Sequence, residues 1–262
     1  MVAIVYLVAG MSSRYGGNVK QMAKIGPNNE TLIQYSVDQA LINPFSKIIF
    51  ITNHVTEHLY KNIFGDKYKE IPVLYIEQKY DNNIRTRPWG TTDALCCIHG
   101  YINEPFILVN GDDIYGENTF KKGFSLLNNG NIIGCIKMSK SLPENQQVNR
   151  GVIFVNETHV TGIKEMLKIS RDNNPELLDE FANVNFIGLQ PIVLDYLNNI
   201  LTEFKENNKN HPDIECLLPD CINILIKENK LKLEYFEIEN EILGVTYPGD
   251  EIIVKNLLKN NK

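Results

Sequence analysis

An α/β fold with a mixed, mostly parallel central sheet is what this sequence predicts, and three observations point there. Short apolar runs bounded by turn residues alternate with helical-period stretches through the first half, which is the signature of βαβ units. After Asp112 strand-like runs follow one another across polar turns, so the sheet turns partly antiparallel. The chain has 262 residues, 43% hydrophobic and 22% charged, enough for a full core and unlike a disordered, collagenous or coiled-coil composition.

Val2 to Val8 reads as the first strand. The apolar run to Ala9 lacks a basic leader region and falls far short of the roughly 20 residues a membrane span needs. Leu32 to Leu41 reads as a helix, with Leu32, Tyr35, Ser36, Gln39 and Ala40 at helical spacing and Thr31 placed to cap it. Lys47 to Thr52 (KIIFIT) is the second strand, His54 to Phe64 a helix, and Pro72 to Gln78 (PVLYIEQ) the third strand. Thr91 to Gly100 is a further helix and Pro105 to Val109 (PFILV) the fourth strand.

Beyond these come a helix at Glu117 to Leu127 and strands at Ile132 to Met138, Gly151 to Val155 and Val160 to Lys164. Helices at Ile192 to Glu206 and Cys216 to Glu228, a strand at Leu231 to Ile238 and a helix at Asp250 to Leu258 complete the reading. Without a Pro/Gly/Ser linker or a repeat, the expectation is one domain over 1–262, with halves at about 1–115 and about 116–262.

Lysine plus arginine (26) against aspartate plus glutamate (32) leaves a net charge of −6. No overall basic field draws in a nucleic acid or an anionic membrane, so neither is an expected partner, and an anionic ligand must be met by local cations. The five cysteines, Cys96, Cys97, Cys135, Cys216 and Cys221, are an odd set with no C-x-x-C spacing. That fits reduced thiols and a cytoplasmic location better than a disulfide framework.

The stretch from Ala9 through Gly10, Met11, Ser12, Ser13 and Arg14 to Lys20 and Gln21 follows a buried strand at the carboxyl edge of the sheet, where open α/β sheets place ligands. Small residues let backbone N–H groups approach an anion, and Arg14 and Lys20 add a planar fork and a point charge. The pattern is neither a Walker A loop nor G-x-G-x-x-G. A plain Gly/Ser connection is the competing reading. Asn110-Gly111-Asp112-Asp113 emerges at the same edge, and Asp250 stands before the last helix. Magnesium takes one or two carboxylates plus phosphate oxygens and water, so Asp112 and Asp250 are the candidate ligands, with an Asx turn and a helix cap as their ordinary alternatives.

The motifs A-G-M-S-S-R…K-Q, R-P-W-G-T-T-D-A-L at 87–95, V-N-G-D-D at 109–113, N-R-G-V at 149–152 and G-V-T-Y-x-x-D at 244–250 span nearly the whole chain. Together they resemble the sugar-1-phosphate nucleotidyltransferases, the nucleotide-sugar pyrophosphorylases. The resemblance implies a Rossmann-like three-layer nucleotidyltransferase fold, a nucleoside triphosphate and a sugar 1-phosphate as substrates, and Mg²⁺ as cofactor. It also implies that Gly10 to Ser13 wrap the triphosphate, that Arg14 and Lys20 act on its phosphates, and that Asp112 and Asp250 hold the metal. Gln78 and the turn Pro88, Trp89, Gly90 and Thr91 resemble the base-reading positions, with surface packing as the alternative for Trp89. Gly151, Glu165 and Asn185 match sugar-binding positions. Met166 follows Glu165 where the family usually has a cation, so Lys168 is the remaining candidate for the sugar phosphate.

The activity this implies is transfer of a nucleotidyl group from UTP to N-acetylglucosamine 1-phosphate or glucose 1-phosphate, releasing pyrophosphate. A thymidylyltransferase on glucose 1-phosphate, a cytidylyltransferase on a phosphorylated alcohol and a non-catalytic nucleotide-sugar-binding module are the alternatives. Because the chain stops at Lys262 soon after its last helix, no acetyltransferase extension is expected. Oligomeric state is open, with a homo-oligomer among the options. One rival pattern, His54-Val55-Thr56-Glu57-His58, fits H-x-x-E-H, a zinc-binding arrangement when carried on a helix. It starts directly after a strand and lacks a third ligand, which favours a surface helix instead.

Overall fold

The computed structural model describes residues 1–10, 19–144, 146–245 and 247–260. In chain order the elements begin with β1 (Ala3–Leu7), α1 (Leu32–Ala40), β2 (Lys47–Thr52), α2 (Glu57–Phe64), β3 (Lys67–Tyr68) and β4 (Ile71–Glu77). Then come α3 (Thr91–Cys96), β5 (Phe106–Asn110), β6 (Asp113–Ile114), α4 (Glu117–Leu126), β7 (Asn131–Lys137), α5 (Met138–Ser141) and β8 (Val148–Asn156). β9 (His159–Ile169), β10 (Phe181–Leu189), α6 (Ile192–Asn207), α7 (Leu218–Lys227), β11 (Leu233–Glu237), β12 (Leu243–Gly244) and α8 (Asp250–Asn260) follow. Two units interleave along the chain, the first formed by Met1–Gln78, Phe106–Ser125 and Asn240–Lys262, the second by Lys79–Pro105 and Leu126–Glu239.

In the first unit β4, β2, β1 and β5 lie side by side in parallel, and β3 adds antiparallel to β4. The registers Val5↔Ile49 and Val5↔Leu108 put three apolar runs level with one another. Strands covered on both faces need such continuous runs rather than alternation, and AIVYL, KIIFIT and FILVN supply them. On one face Phe50 stands among Tyr6, Tyr60, Phe64 and Tyr75, with ring centroids 4.8–5.8 Å away. Truncating such a ring to alanine costs about 3–5 kcal/mol. All parallel strands deliver their carboxyl ends to one edge, and the candidate phosphate-binding segments follow those ends.

Thr31 caps α1 through its hydroxyl, which accepts from the Gln34 N–H at 3.3 Å. The helix expected from His54 begins instead at Glu57. The Asn53 side chain accepts from the N–H groups of Val55 and Thr56 and from the Thr56 hydroxyl, so an Asx turn occupies 53–56. His54 therefore sits in a turn, and its ring faces Glu77 at 3.8 Å. Glu57 receives the Thr52 hydroxyl and pairs with Lys61. Among the described residues no cluster of three or more His, Cys, Asp or Glu side chains is arranged to hold a metal.

In the second unit β10 pairs antiparallel with β7 and β8, β8 with β9, and β9 with β11, while β11 runs parallel to β7. The long β8–β9 hairpin confirms strands joined without an intervening helix. No strand is expected from the sequence where β10 stands, because Asn183 and Asn185 interrupt its apolar alternation, and a register shift lies between Asn183 and Phe186. The helix from Thr91 stops at Cys96, four residues before Gly100, whose φ is +83°. Among the described residues no helix is long and apolar enough to cross a membrane.

Candidate active site

At the end of β1, Ala9 is buried and its carbonyl accepts from the Asn53 amide at 2.9 Å, whereas Gly10 is exposed, with no atom of the described residues beyond its chain neighbours within 4 Å of where a Cβ would lie. Met11, Ser12, Ser13 and Arg14 lie outside the described residues. Lys20 begins a single 3-10 turn (Lys20–Met22), and its ammonium pairs with the Asp112 carboxylate. The two side chains are 17% and 22% exposed, half-sheltered but reachable from solvent.

Glycine at 111 sets where Asp112 stands. Its N–H donates to the Leu7 carbonyl at 3.1 Å, and a Cβ there would lie 2.3 Å from Val8 Cγ1. Only glycine lets the turn after β5 press against the end of β1, which is why Asn-Gly-Asp-Asp puts a carboxylate beside the first loop. The two aspartates then divide. Asp113 enters β6 and its carboxylate accepts from the Asn110 amide at 3.0 Å, while Asp112 faces Lys20.

The Asp250 segment docks on this same turn. Leu243 and Gly244 pair with Ile114 and Asp113, and the Val245 N–H donates to the Asp112 carbonyl at 3.3 Å. A Cβ at Gly244 would fall 2.6 Å from Asp113 Oδ1, so that strand also relies on glycine for its approach. Asp250 opens α8, and its carboxylate accepts from the Tyr247 N–H at 2.8 Å. Residues more than a hundred positions apart are thus tied together by backbone pairing. Behind them Tyr60 is fully buried; burial, and secondarily the charge of Asp112, push its phenol pKa up. Gln78 is buried just beyond β4, its N–H donating to the Thr52 carbonyl at 2.9 Å.

In the second unit the turn holding Pro88, Trp89, Gly90 and Thr91 leads into α3. Gly90 has φ +101°, and a Cβ there would be 2.6 Å from the Cys216 carbonyl oxygen. The Thr91 hydroxyl accepts from the Leu218 N–H at 2.9 Å, holding the start of α7. The Cys216 and Cys221 sulfurs lie 3.4 Å apart, and all five cysteines are free thiols.

Gly151, Glu165 and Asn185 come together in this unit. Gly151 is paired with Glu165 across the β8–β9 hairpin, and a Cβ at 151 would meet Asn183 Cβ at 3.1 Å and Glu165 Oε2 at 3.3 Å. Asn183 links the group to Asn185 through its side chain: its Oδ1 accepts from the Asn185 N–H at 2.9 Å and its Nδ2 donates to Asn185 Oδ1 at 3.1 Å. Asn185 has φ +56°, a conformation asparagine tolerates better than most residues. Partial burial of the Glu165 carboxyl, reinforced by Asp220 and opposed by Arg150, raises its pKa. Lys168 is exposed, with φ +55°, at the irregularity where Val148 pairs with Ile169 and Arg150 with Met166; its N–H donates to the Asn149 side chain. Asn183 escaped the sequence reading because an asparagine in a polar stretch carries no signal until β10 is recognised as a strand.

A parallel sheet whose carboxyl edge carries Lys20, Asp112 and the segment leading to Asp250 defines an α/β protein with a charged site at the ends of its parallel strands. Residues 17–180 match the family model described as Nucleotidyl transferase, and the chain belongs to that family. It is 27% identical over 185 residues to the bifunctional protein GlmU of Methanococcus vannielii, which covers 69% of this chain but 39% of that protein. The chain therefore spans well under half the length of this relative. Among solved structures it resembles a Bacillus anthracis protein described as a glucose-1-phosphate thymidylyltransferase, with TM-score 0.75 and 14% identity over 99% of this chain and 96% of the other. The inositol-1-phosphate CTP transferase of T. maritima aligns with TM-score 0.70 and 15% identity, covering 98% and 94%. A UDP-glucose pyrophosphorylase complexed with UDP-glucose aligns with TM-score 0.69 and 15% identity, covering 99% of each chain. These likenesses establish the fold.

Proposed function

We propose that this protein transfers a nucleotidyl group from UTP to N-acetylglucosamine 1-phosphate or glucose 1-phosphate, releasing pyrophosphate. The observation that carries the reading is the pairing of Lys20 with Asp112 on a turn that also receives the Asp250 segment. A phosphate-binding cation and two acidic segments at one sheet edge suit the meeting of two anions.

In this mechanism a phosphate oxygen of the sugar 1-phosphate attacks the α-phosphorus of the triphosphate in line. The new O–P bond forms as the bond to the β-phosphate oxygen breaks, and pyrophosphate leaves with that electron pair. No protein nucleophile is needed, so the side chains position and neutralise. Lys20 contacts the phosphates near the α position, and Arg14 holds the β and γ phosphates of the leaving group. Gly10 to Ser13 bind the triphosphate. Gln78 and the turn from Pro88 to Thr91 meet the base, while Glu165, Asn185 and the backbone at Gly151 hydrogen-bond sugar hydroxyls; Lys168 reaches the sugar phosphate.

Asp112 and Asp250 fit Mg²⁺ by donor chemistry, since a hard cation takes carboxylate oxygens and needs only one or two when phosphates and water complete its shell. Bound there, it would supply charge neutralisation between the two reactants.

The names of the similar structures include thymidylyl, CTP and UDP, all pyrimidine nucleotides, which supports a pyrimidine base. UTP is our reading, and dTTP differs by one methyl group and one hydroxyl. Pyrophosphate release should be measured for UTP, dTTP and CTP against glucose 1-phosphate, N-acetylglucosamine 1-phosphate and inositol 1-phosphate with Mg²⁺. Fastest release with UTP and one of the two hexose phosphates is expected. Saturable binding of UDP-sugar with no pyrophosphate from any pair would replace the enzyme reading with a nucleotide-sugar-binding module.

A further inference from the structure

The second unit carries a cation whose chemistry the proposed reaction does not use. Arg85 is 4% exposed, and its guanidinium carbon lies 3.4 Å from the ring centroid of Trp89. Its nitrogens donate to three carbonyls: Arg87 at 3.1 Å, His211 at 3.0 Å and Ile214 at 2.6 Å. One planar group thus joins the Arg87–Trp89 turn to a segment more than 120 residues away.

Backbone bonds run alongside. The Thr86 N–H donates to the Pro212 carbonyl at 3.1 Å, the Cys216 N–H to the Trp89 carbonyl at 2.7 Å, and the Thr92 N–H to the Cys216 carbonyl at 3.1 Å. Arg87 pairs with Glu215 at 3.2 Å. Phe204 meets the Trp89 ring edge to face at 6.3 Å. Trp89 is the only tryptophan of the chain. With one face covered by a guanidinium and Phe204 against it, its ring supports the turn rather than offering a clean platform for a base.

We propose that Arg85 is the positioning residue for base recognition: it stacks on Trp89 and fastens three carbonyls, fixing the backbone of the Pro88–Gly90 turn against the 211–216 segment. The proposal rests on the reading that this turn meets the nucleotide base. Lysine cannot replace the group, because an ammonium has no plane to stack and no fixed fork of donors. Arg85 acts through the turn and touches no reacting atom, so it governs nucleotide affinity and the choice among bases more than the chemical step.

Four measurements on the full chain test this. Amide hydrogen exchange of the wild-type protein, with UTP or with inorganic tripolyphosphate, should show protection at 86–92 and 211–216 with UTP alone. Arg85→Lys and Arg85→Gln should raise the KM for UTP by roughly 10- to 100-fold, the scale of a displaced positioning group, with a smaller fall in kcat. They should also narrow the preference among UTP, dTTP and CTP, and Trp89 emission should shift as the stacked guanidinium leaves. Tripolyphosphate affinity, measured by calorimetry, should hold.

A merely structural role would lower Tm and the active fraction and leave KM and base preference alone, which would overturn the proposal. Absence of UTP-specific protection together with an unchanged KM in Gly90→Ala would overturn the base-turn reading and the proposal with it. UTP-specific protection, or a raised KM in Gly90→Ala, beside a wild-type KM in Arg85→Lys would overturn the proposal alone.

Discussion

The ammonium of Lys20 is paired with the carboxylate of Asp112 across the turn that Gly111 seats against the end of β1. Each neutralises the other, and in our reading a phosphate takes the lysine and a cation the aspartate when substrates bind. The pair is half-sheltered but still reached by water, and ion pairs that water reaches contribute about 1 kcal/mol at most, so Asp112→Asn should cost little thermal stability. Turnover should fall by about 10²–10³, the usual loss when one preorganised charge contact is removed. Thermal denaturation and pyrophosphate release, measured on the same preparation, check both halves; wild-type turnover would remove Asp112 from the mechanism.

Asp250 has a structural task and, in our reading, a chemical one, and two substitutions separate them. Its carboxylate accepts from the Tyr247 N–H ahead of α8, a bond the amide oxygen of asparagine can also accept. Asp250→Asn should keep the bond and lose a metal charge, whereas Asp250→Ala loses both. Binding of Mn²⁺, followed by paramagnetic relaxation of water protons, should weaken roughly tenfold in both variants, since affinity follows ligand charge. Only Asp250→Ala should also lower stability. Equal Mn²⁺ affinity in wild type and Asp250→Asn would leave the residue a purely structural part.

What could be read from the sequence was set by how local each signal is. KIIFIT is a strand in isolation because burial on both faces demands an unbroken apolar run, and the sequence expectation for it matches β2 residue for residue. The start of α2 could not be read so well: the Asn53 side chain competes for the N–H groups of Val55 and Thr56, and that competition is decided by conformation. β10 stayed hidden because Asn183 and Asn185 serve their cluster at the expense of strand alternation. The sequence singles out Asp112 over Asp113 without the local reason for it, which is that Asp113 enters β6 and pairs with Leu243–Gly244 far along the chain. Arg85 reads as an ordinary surface arginine until its three carbonyl partners are seen.

Glu165 gives a pH-dependent outcome. Partial burial and Asp220 raise its folded pKa above the ordinary carboxylate value, so between the two values the folded state binds more protons than the unfolded chain. Its contribution is fully present below the ordinary pKa and is lost as pH rises through the raised one. Glu165→Gln carries no charge to lose. The variant should therefore melt higher than wild type at pH 7, and the difference should close as pH falls through the carboxylate range. Melting temperatures across pH 4–8 test this, and a variant less stable than wild type at pH 7 would contradict it. If Glu165 also binds the sugar, the KM for the sugar 1-phosphate should rise while that for the nucleotide holds.

Asp93 and Lys205 form the second unit's most sheltered ion pair among those described, 2.5 Å apart, with the aspartate 6% exposed and the lysine 36%. The asymmetry decides which substitution hurts. Removing Asp93 leaves an ammonium that can turn to water, whereas removing Lys205 takes the paired cation from a carboxylate that is nearly closed to solvent. Breaking a buried pair from one side costs about 3–5 kcal/mol, while replacing both partners with apolar groups of similar volume is often close to neutral. Lys205→Met should therefore shift the urea midpoint of the full chain well down, Asp93→Leu should shift it less, and the double variant should recover most of the loss. Additive losses in the double variant would mean that the two charges do not depend on one another, and a Lys205→Met protein as stable as wild type would mean that the other contacts of Asp93 hold its charge without the lysine.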